Sequence, residues 1–190
     1  MDVLNKAYGL TGMQYTLKGI DRTVNSAWAN GDDQSNMKKQ LRKGDYKTLN
    51  LYYMDKITTP GLPPEALILG QCTFPVTVTE KSDDFFDDGC RMLKLTLPGG
   101  TIPGTGKATF EGKTTVHEVG HWNGLFHTFM GGSARDTCQN STGPSIAGVD
   151  AIHNYMNYYD DSCLDQFTPG QIQHLQNMWG KFRKSSNVYA

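Results

Sequence analysis

The chain has 190 residues, enough for one ordinary domain and too few for two well-cored ones, and its 37% hydrophobic and 11% aromatic content can build a core. Eighteen Lys and Arg against nineteen Asp and Glu leave a net charge of -1, with no basic field to gather nucleic acid or anionic lipid. No apolar run approaches the roughly 18 residues that span a bilayer, and 21 glycines with 8 prolines point to a loop-rich single domain covering residues 1–190.

Taken in chain order, the first six residues lack the basic-then-apolar pattern of a secretory leader. Val3, Leu4, Ala7 and Tyr8 recur at helical spacing, and Gly9 to Gly12 makes a turn. Met13 to Ile20 alternates apolar with polar and predicts a strand. Asp33 to Lys43 predicts a short surface helix whose Lys38, Lys39, Arg42 and Lys43 form a solvated basic face. Thr48 to Met54 reads as a buried strand, and strand-like pieces follow at Leu67–Phe74 and Met92–Leu97. Between them Asp83, Asp84, Asp87 and Asp88 flank two phenylalanines; without EF-hand spacing they are read as an acidic, solvated loop. Lys107 to Leu125 predicts a helix, residues 128 to 166 an irregular stretch, and Thr168-Pro169-Gly170-Gln171 the capped start of a last helix. On that helix His174 lies off the apolar stripe, as a surface residue.

Four cysteines, Cys72, Cys90, Cys138 and Cys163, permit two disulfides or four buried thiols, and none forms a CxxC pair. Asn140-Ser141-Thr142 is a glycosylation sequon, of consequence only in a secretory compartment.

The chemistry is concentrated in His117-Glu118-Val119-Gly120-His121-Trp122-Asn123-Gly124-Leu125-Phe126-His127. On a helix His117 and His121 project from one face, and Gly124 allows a sharp turn that returns His127 as a third nitrogen ligand. Three neutral imidazoles leave the fourth position of a tetrahedral Zn²⁺ open, the arrangement of a catalytic site. Glu118 stands beside the metal position, where a carboxylate accepts a proton from water and passes it to a leaving amine. The reaction these groups predict is peptide-bond hydrolysis. In a chain with five histidines, four glutamates and 21 glycines this pattern arises by chance about 10⁻⁵ times. A chain that only held zinc or a protein partner would have no need of the Glu118 carboxylate.

These residues, with Asn154-Tyr155-Met156-Asn157-Tyr158 downstream, resemble the metzincin metalloproteases. The zinc motif, the run Ile152 to Tyr158, Asp160-Asp161-Ser162-Cys163 and Phe167-Thr168-Pro169-Gly170-Gln171 are similar to the pappalysin branch, especially its secreted fungal members. Weaker likeness extends through Asp88-Gly89-Cys90, Cys72-Thr73-Phe74-Pro75 and Asp21-Arg22-Thr23. The resemblance implies an α+β, metzincin-like zincin fold: a twisted mixed sheet, an active-site helix and a C-terminal helix. It implies one catalytic zinc held by His117, His121 and His127, with Glu118 as general base and acid. Met156 would be the Met-turn residue beneath the imidazoles, Tyr158 a phenol that stabilises the tetrahedral intermediate, and His153 a structural residue. Substrate would be a protein or peptide lying extended against an edge strand such as Leu67–Phe74, in an extracellular setting. Relative to that family the chain lacks an N-terminal strand, and the stretch from His127 to Met156 is short. The missing part normally carries two cysteines and an acidic calcium-binding segment, so no calcium site is predicted. Cys72–Cys90 is the expected disulfide, while Cys138 and Cys163 either pair with each other or remain free.

Overall fold

A computed structural model describes residues 1–63, 65–104, 109–128 and 151–184, and the backbone alone of 188–189. The elements run α1 Asp2–Tyr8, α2 Ser26–Ala29, α3 Gln34–Leu41, β1 Leu51–Met54, β2 Gly70–Cys72, β3 Val78–Thr79, α4 Asp83–Asp87, β4 Cys90–Leu93, α5 Lys113–Trp122, α6 Pro169–Trp179 and β5 Val188–Tyr189. β1, β4 and β2 form a mixed sheet in that order, β1 parallel to β4 and β2 antiparallel to it. β3 pairs with β5 in a separate two-stranded ribbon. The expected α+β class holds, with a mixed sheet, a helix that carries His117 and His121, and a C-terminal helix.

β4 is buried at all four positions, as befits the middle strand of the three. Its Met92 meets Val116, Val119 and Trp122 of α5, Met156 and Leu175 of α6 in the main core. α1 closes one side: Leu4 and Tyr8 are buried there, and the Tyr8 hydroxyl donates to the Val116 carbonyl at 3.1 Å. α6 starts where predicted, with a complete capping box between Thr168 and Gln171 and Pro169 in its first turn. The expected Cys72–Cys90 bond is present and staples β2 to β4. Cys138, the sequon at Asn140 and most of the expected irregular stretch lie outside the described residues.

Several sequence expectations are corrected. Met13–Ile20 is not a strand: the side-chain amide of Asn5 takes both backbone hydrogen bonds of Tyr15, at 2.8 and 2.9 Å, and Leu17 and Ile20 are exposed. The helix expected from Lys107 starts at Lys113, because Phe110 exchanges backbone hydrogen bonds with Gly99 and Gly100 and Gly112 sits at φ 86°. Each predicted strand pairs only in part, at Leu51–Met54, Gly70–Cys72 and Met92–Leu93, and Lys94–Thr96 forms a 3₁₀ turn instead.

The charged segments differ most. Asp83–Asp87 is a helix capped by Ser82, and the Lys38 and Arg42 side chains of the supposed solvated face are buried against it and its C-cap Asp88. Asp88 itself is 2% exposed. Its carboxylate accepts from Arg183 at 2.9 and 3.2 Å, from Arg42 at 3.4 Å, from Trp122 Nε1 at 3.0 Å and from Thr73 at 3.3 Å. Arg183 reaches it because α6 widens after Trp179 into a π-helical turn, Gly180–Lys184, and its guanidinium lies 3.5 Å from the centre of a Trp122 ring.

Removing one partner of a buried charge cluster leaves the others uncompensated. Asp88→Ala is therefore expected to cost about 3–5 kcal/mol, read as a lowered midpoint in chemical denaturation. Asp83→Ala, at an exposed position of the same segment, should leave the midpoint in place.

Candidate active site

α5 is held at both ends by groups distant in sequence. At its N-terminus Asp161 accepts from the backbone N–H of Glu111 at 2.7 Å and of Lys113 at 3.1 Å, and the Lys113 ammonium donates to the Asp161 carbonyl at 2.6 Å. A carboxylate there satisfies free donors and matches the positive end of the helix dipole. At its C-terminus Arg183 donates to the Trp122 carbonyl at 3.1 Å. The helix stops at Asn123 and the chain reverses at Gly124, φ 95°, where a Cβ would stand 2.9 Å from Met178. That reversal buries Leu125 and brings His127 back over the helix.

His117, His121 and His127 converge as predicted. His127 Nε2 lies 3.0 Å from His121 Nε2 and 3.1 Å from His117 Nε2, and the three ligand atoms fall within 4.8 Å of one another. The other ring nitrogens fix the tautomers. His117 Nδ1 donates to the Tyr155 carbonyl at 2.7 Å and His121 Nδ1 donates to the Leu125 carbonyl at 2.7 Å. A carbonyl only accepts, so each Nδ1 carries the proton and each Nε2 turns a lone pair inward. Burial, then the neighbouring imidazoles, hold His117 down to about 3; burial and His121 hold His127 down to about 4; burial also lowers His121. The rings are thus neutral, the form that binds metal.

This donor set fits a zinc ion. Nitrogens about 2.0–2.1 Å from a tetrahedral zinc lie about 3.3 Å apart, close to the two spacings His127 makes with its neighbours.

Met156 is fully buried under the helix, and a Cβ at Gly120 would come within 2.3 Å of its sulfur. The glycine inside the motif thus makes room for this methionine, and the Thr128 N–H donates to the Met156 carbonyl at 3.2 Å, tying the turn to the chain beyond His127. Tyr158 is 49% exposed, its ring 4.7 Å from that of His127 and 5.5 Å from that of His117. Burial and then the Glu118 charge raise its phenol, so it keeps its proton.

Glu118 lies under β2. A Cβ at Gly70 would approach its Cγ to 2.5 Å, and the Cys72 N–H donates to its carboxylate. Burial pushes the carboxyl up to about 8, and the Cys72 hydrogen bond opposes the rise. A carboxyl near neutrality is suited to taking and returning a proton. His153 stays outside the cluster, donating to the Cys163 carbonyl at 2.8 Å, and the exposed His174 donates to the Gly124 carbonyl at 3.1 Å.

Sequence reasoning did not find Gly70, the Tyr155 and Leu125 carbonyls, or the capping role of Asp161. A glycine in a short strand and a backbone carbonyl carry no signal of their own, though Asp161 stood in a segment already noted for its family likeness.

No family model matches the chain. It is 41% identical over 207 residues to an extracellular metalloprotease of Neurospora crassa, covering 97% of this chain and 67% of that protein. It is 44% identical over 204 residues to an extracellular metalloprotease of Pyricularia oryzae, covering 95% of this chain and 65% of that one. The chain therefore spans about two thirds of the length of these relatives. Its fold is that of mature mirolysin of Tannerella forsythia in complex with a cleaved peptide, with a TM-score of 0.57 at 21% identity, covering 92% of this chain and 68% of that one. The chain thus belongs to the fungal extracellular metalloproteases.

Proposed function

We propose that this chain is a zinc-dependent endopeptidase that cleaves proteins or peptides bound in extended conformation. The observation that carries the reading is the convergence of three Nε2 atoms, two of them with lone pairs locked inward by carbonyls of the chain. His117, His121 and His127 would hold the zinc. Bound there, it supplies Lewis acidity to the scissile carbonyl and lowers the pKa of a water.

The chain's own groups do the rest. Glu118, buried between α5 and β2, takes the proton of the attacking water and hands it to the leaving amine. Tyr158, half exposed beside His117 and His127, donates a hydrogen bond to the carbonyl oxygen as it gains charge. Met156 and Gly120 keep the floor of the site apolar and closely packed.

Substrate would add as a strand along β2, which has an open edge among the described residues. Leu69 and Thr73 spend their backbone bonds on β4, at 2.9 and 3.2 Å, so the Gly70 N–H and carbonyl and the Cys72 carbonyl face outward, while the Cys72 N–H is turned to Glu118. The extracellular naming of the relatives and the Cys72–Cys90 disulfide agree with work outside the cell.

Elemental analysis of the folded chain should find one zinc per molecule, and His127→Ala should lose it. Glu118→Ala should keep the zinc and drop cleavage of a casein or peptide substrate to background. Equal cleavage by both proteins would sink the mechanism. Tyr158→Phe should lower kcat by about 10²-fold, the scale for one oxyanion donor, with little change in KM. A change confined to KM would make it a binding residue.

A further inference from the structure

The Gly124 reversal that buries Leu125 leaves the next side chain, Phe126, 62% exposed immediately before a metal-ligating histidine. Its ring stacks on Phe74, with centroids 4.9 Å apart at 27°, and Phe74 in turn lies 5.3 Å from the His121 ring. Phe74 is itself 37% exposed, two residues beyond the end of β2. Two phenyl rings from separate elements thus form an open aromatic wall on one flank of the imidazole cluster. Exposed apolar area of this kind gains free energy only when something covers it.

Continuity with the edge strand identifies the occupant. A peptide lying on the open edge of β2 passes Cys72, whose N–H faces Glu118, and then reaches Phe74. Antiparallel addition is the more stable pairing, and it directs the peptide's N-terminal portion toward Phe74. From Cys72 to Phe74 is two residues of strand, about 7 Å. Resting on the peptidase reading above, we propose that Phe74 and Phe126 form a subsite for an apolar or aromatic substrate side chain two or three residues on the N-terminal side of the cut.

Digesting a library of proteome-derived peptides with the 190-residue chain and mapping the cuts by mass spectrometry tests this. The intact protein should enrich Phe, Tyr, Leu, Ile and Met at those positions about five- to tenfold, and Phe126→Ser should reduce the enrichment to within about twofold while its zinc content is unchanged. Absence of that enrichment in the intact protein, or its survival in Phe126→Ser, overturns the subsite. If the zinc-loaded chain cuts nothing, the peptidase reading fails by itself and titration decides the subsite. An eight-residue Gly-Ala peptide with Phe at its third position should then bind the chain about tenfold tighter than the same peptide with Asp there, a difference lost in Phe126→Ser. Equal affinities would overturn it.

Discussion

The buried carboxylate of Asp88 is the point on which the arrangement of elements depends. It gathers Arg42 from the end of α3, Thr73 from beyond β2, Trp122 from the end of α5 and Arg183 from the turn after α6. None of these segments is near another in sequence. Burying such charges is costly unless each is paired and hydrogen-bonded, and here the single anion is met by two guanidinium groups. The Nε atoms of both arginines are buried without a hydrogen-bond partner among the described residues, so the cluster is stable only as long as its carboxylate stays.

Through this cluster the charges of the fold bear on the active-site helix. Arg183 neutralises the carbonyl end of α5 while Asp161 neutralises its amide end. A ten-residue helix with its first and last turns fixed holds two of its side chains in constant register. The same helix is gripped from below, where the Tyr155 carbonyl orients His117 and Met156 fills the space left by Gly120. From above, Gly70 allows β2 to pass close over Glu118. Two glycines, one in the motif and one in the edge strand, therefore set the height of the site, because any Cβ at either would push the floor or the roof away.

The three-histidine cluster was legible because it is local. Within His117 to His127 the helical repeat, the glycine and the third histidine lie close enough in sequence for spacing alone to bring three nitrogens together. The start of α6 was legible for the same reason, since a capping box is written in four consecutive residues. Met13–Ile20 misled because alternation marks a strand only where a partner strand is present, and here Asn5 occupies the backbone groups a partner would need. The acidic and basic runs misled because composition reports charge and not its neighbours: Lys38, Arg42 and Asp88 read as solvent-facing until tertiary contacts paired them.

By itself, then, the sequence determined the convergence of the three histidines and the position of the candidate base, since these follow from residues within one helix and one turn. The Cys72–Cys90 staple, the Met156 floor and the Tyr158 phenol came from family likeness carried by short motifs. Only the tertiary structure decided which carbonyls hold the imidazoles, that β2 is the strand above Glu118, and that Phe74 meets Phe126. Except for the Leu125 carbonyl on His121, each of these joins groups tens of residues apart, and all run through backbone or apolar contacts that leave no periodic trace in a chain and become visible only when packing brings them together.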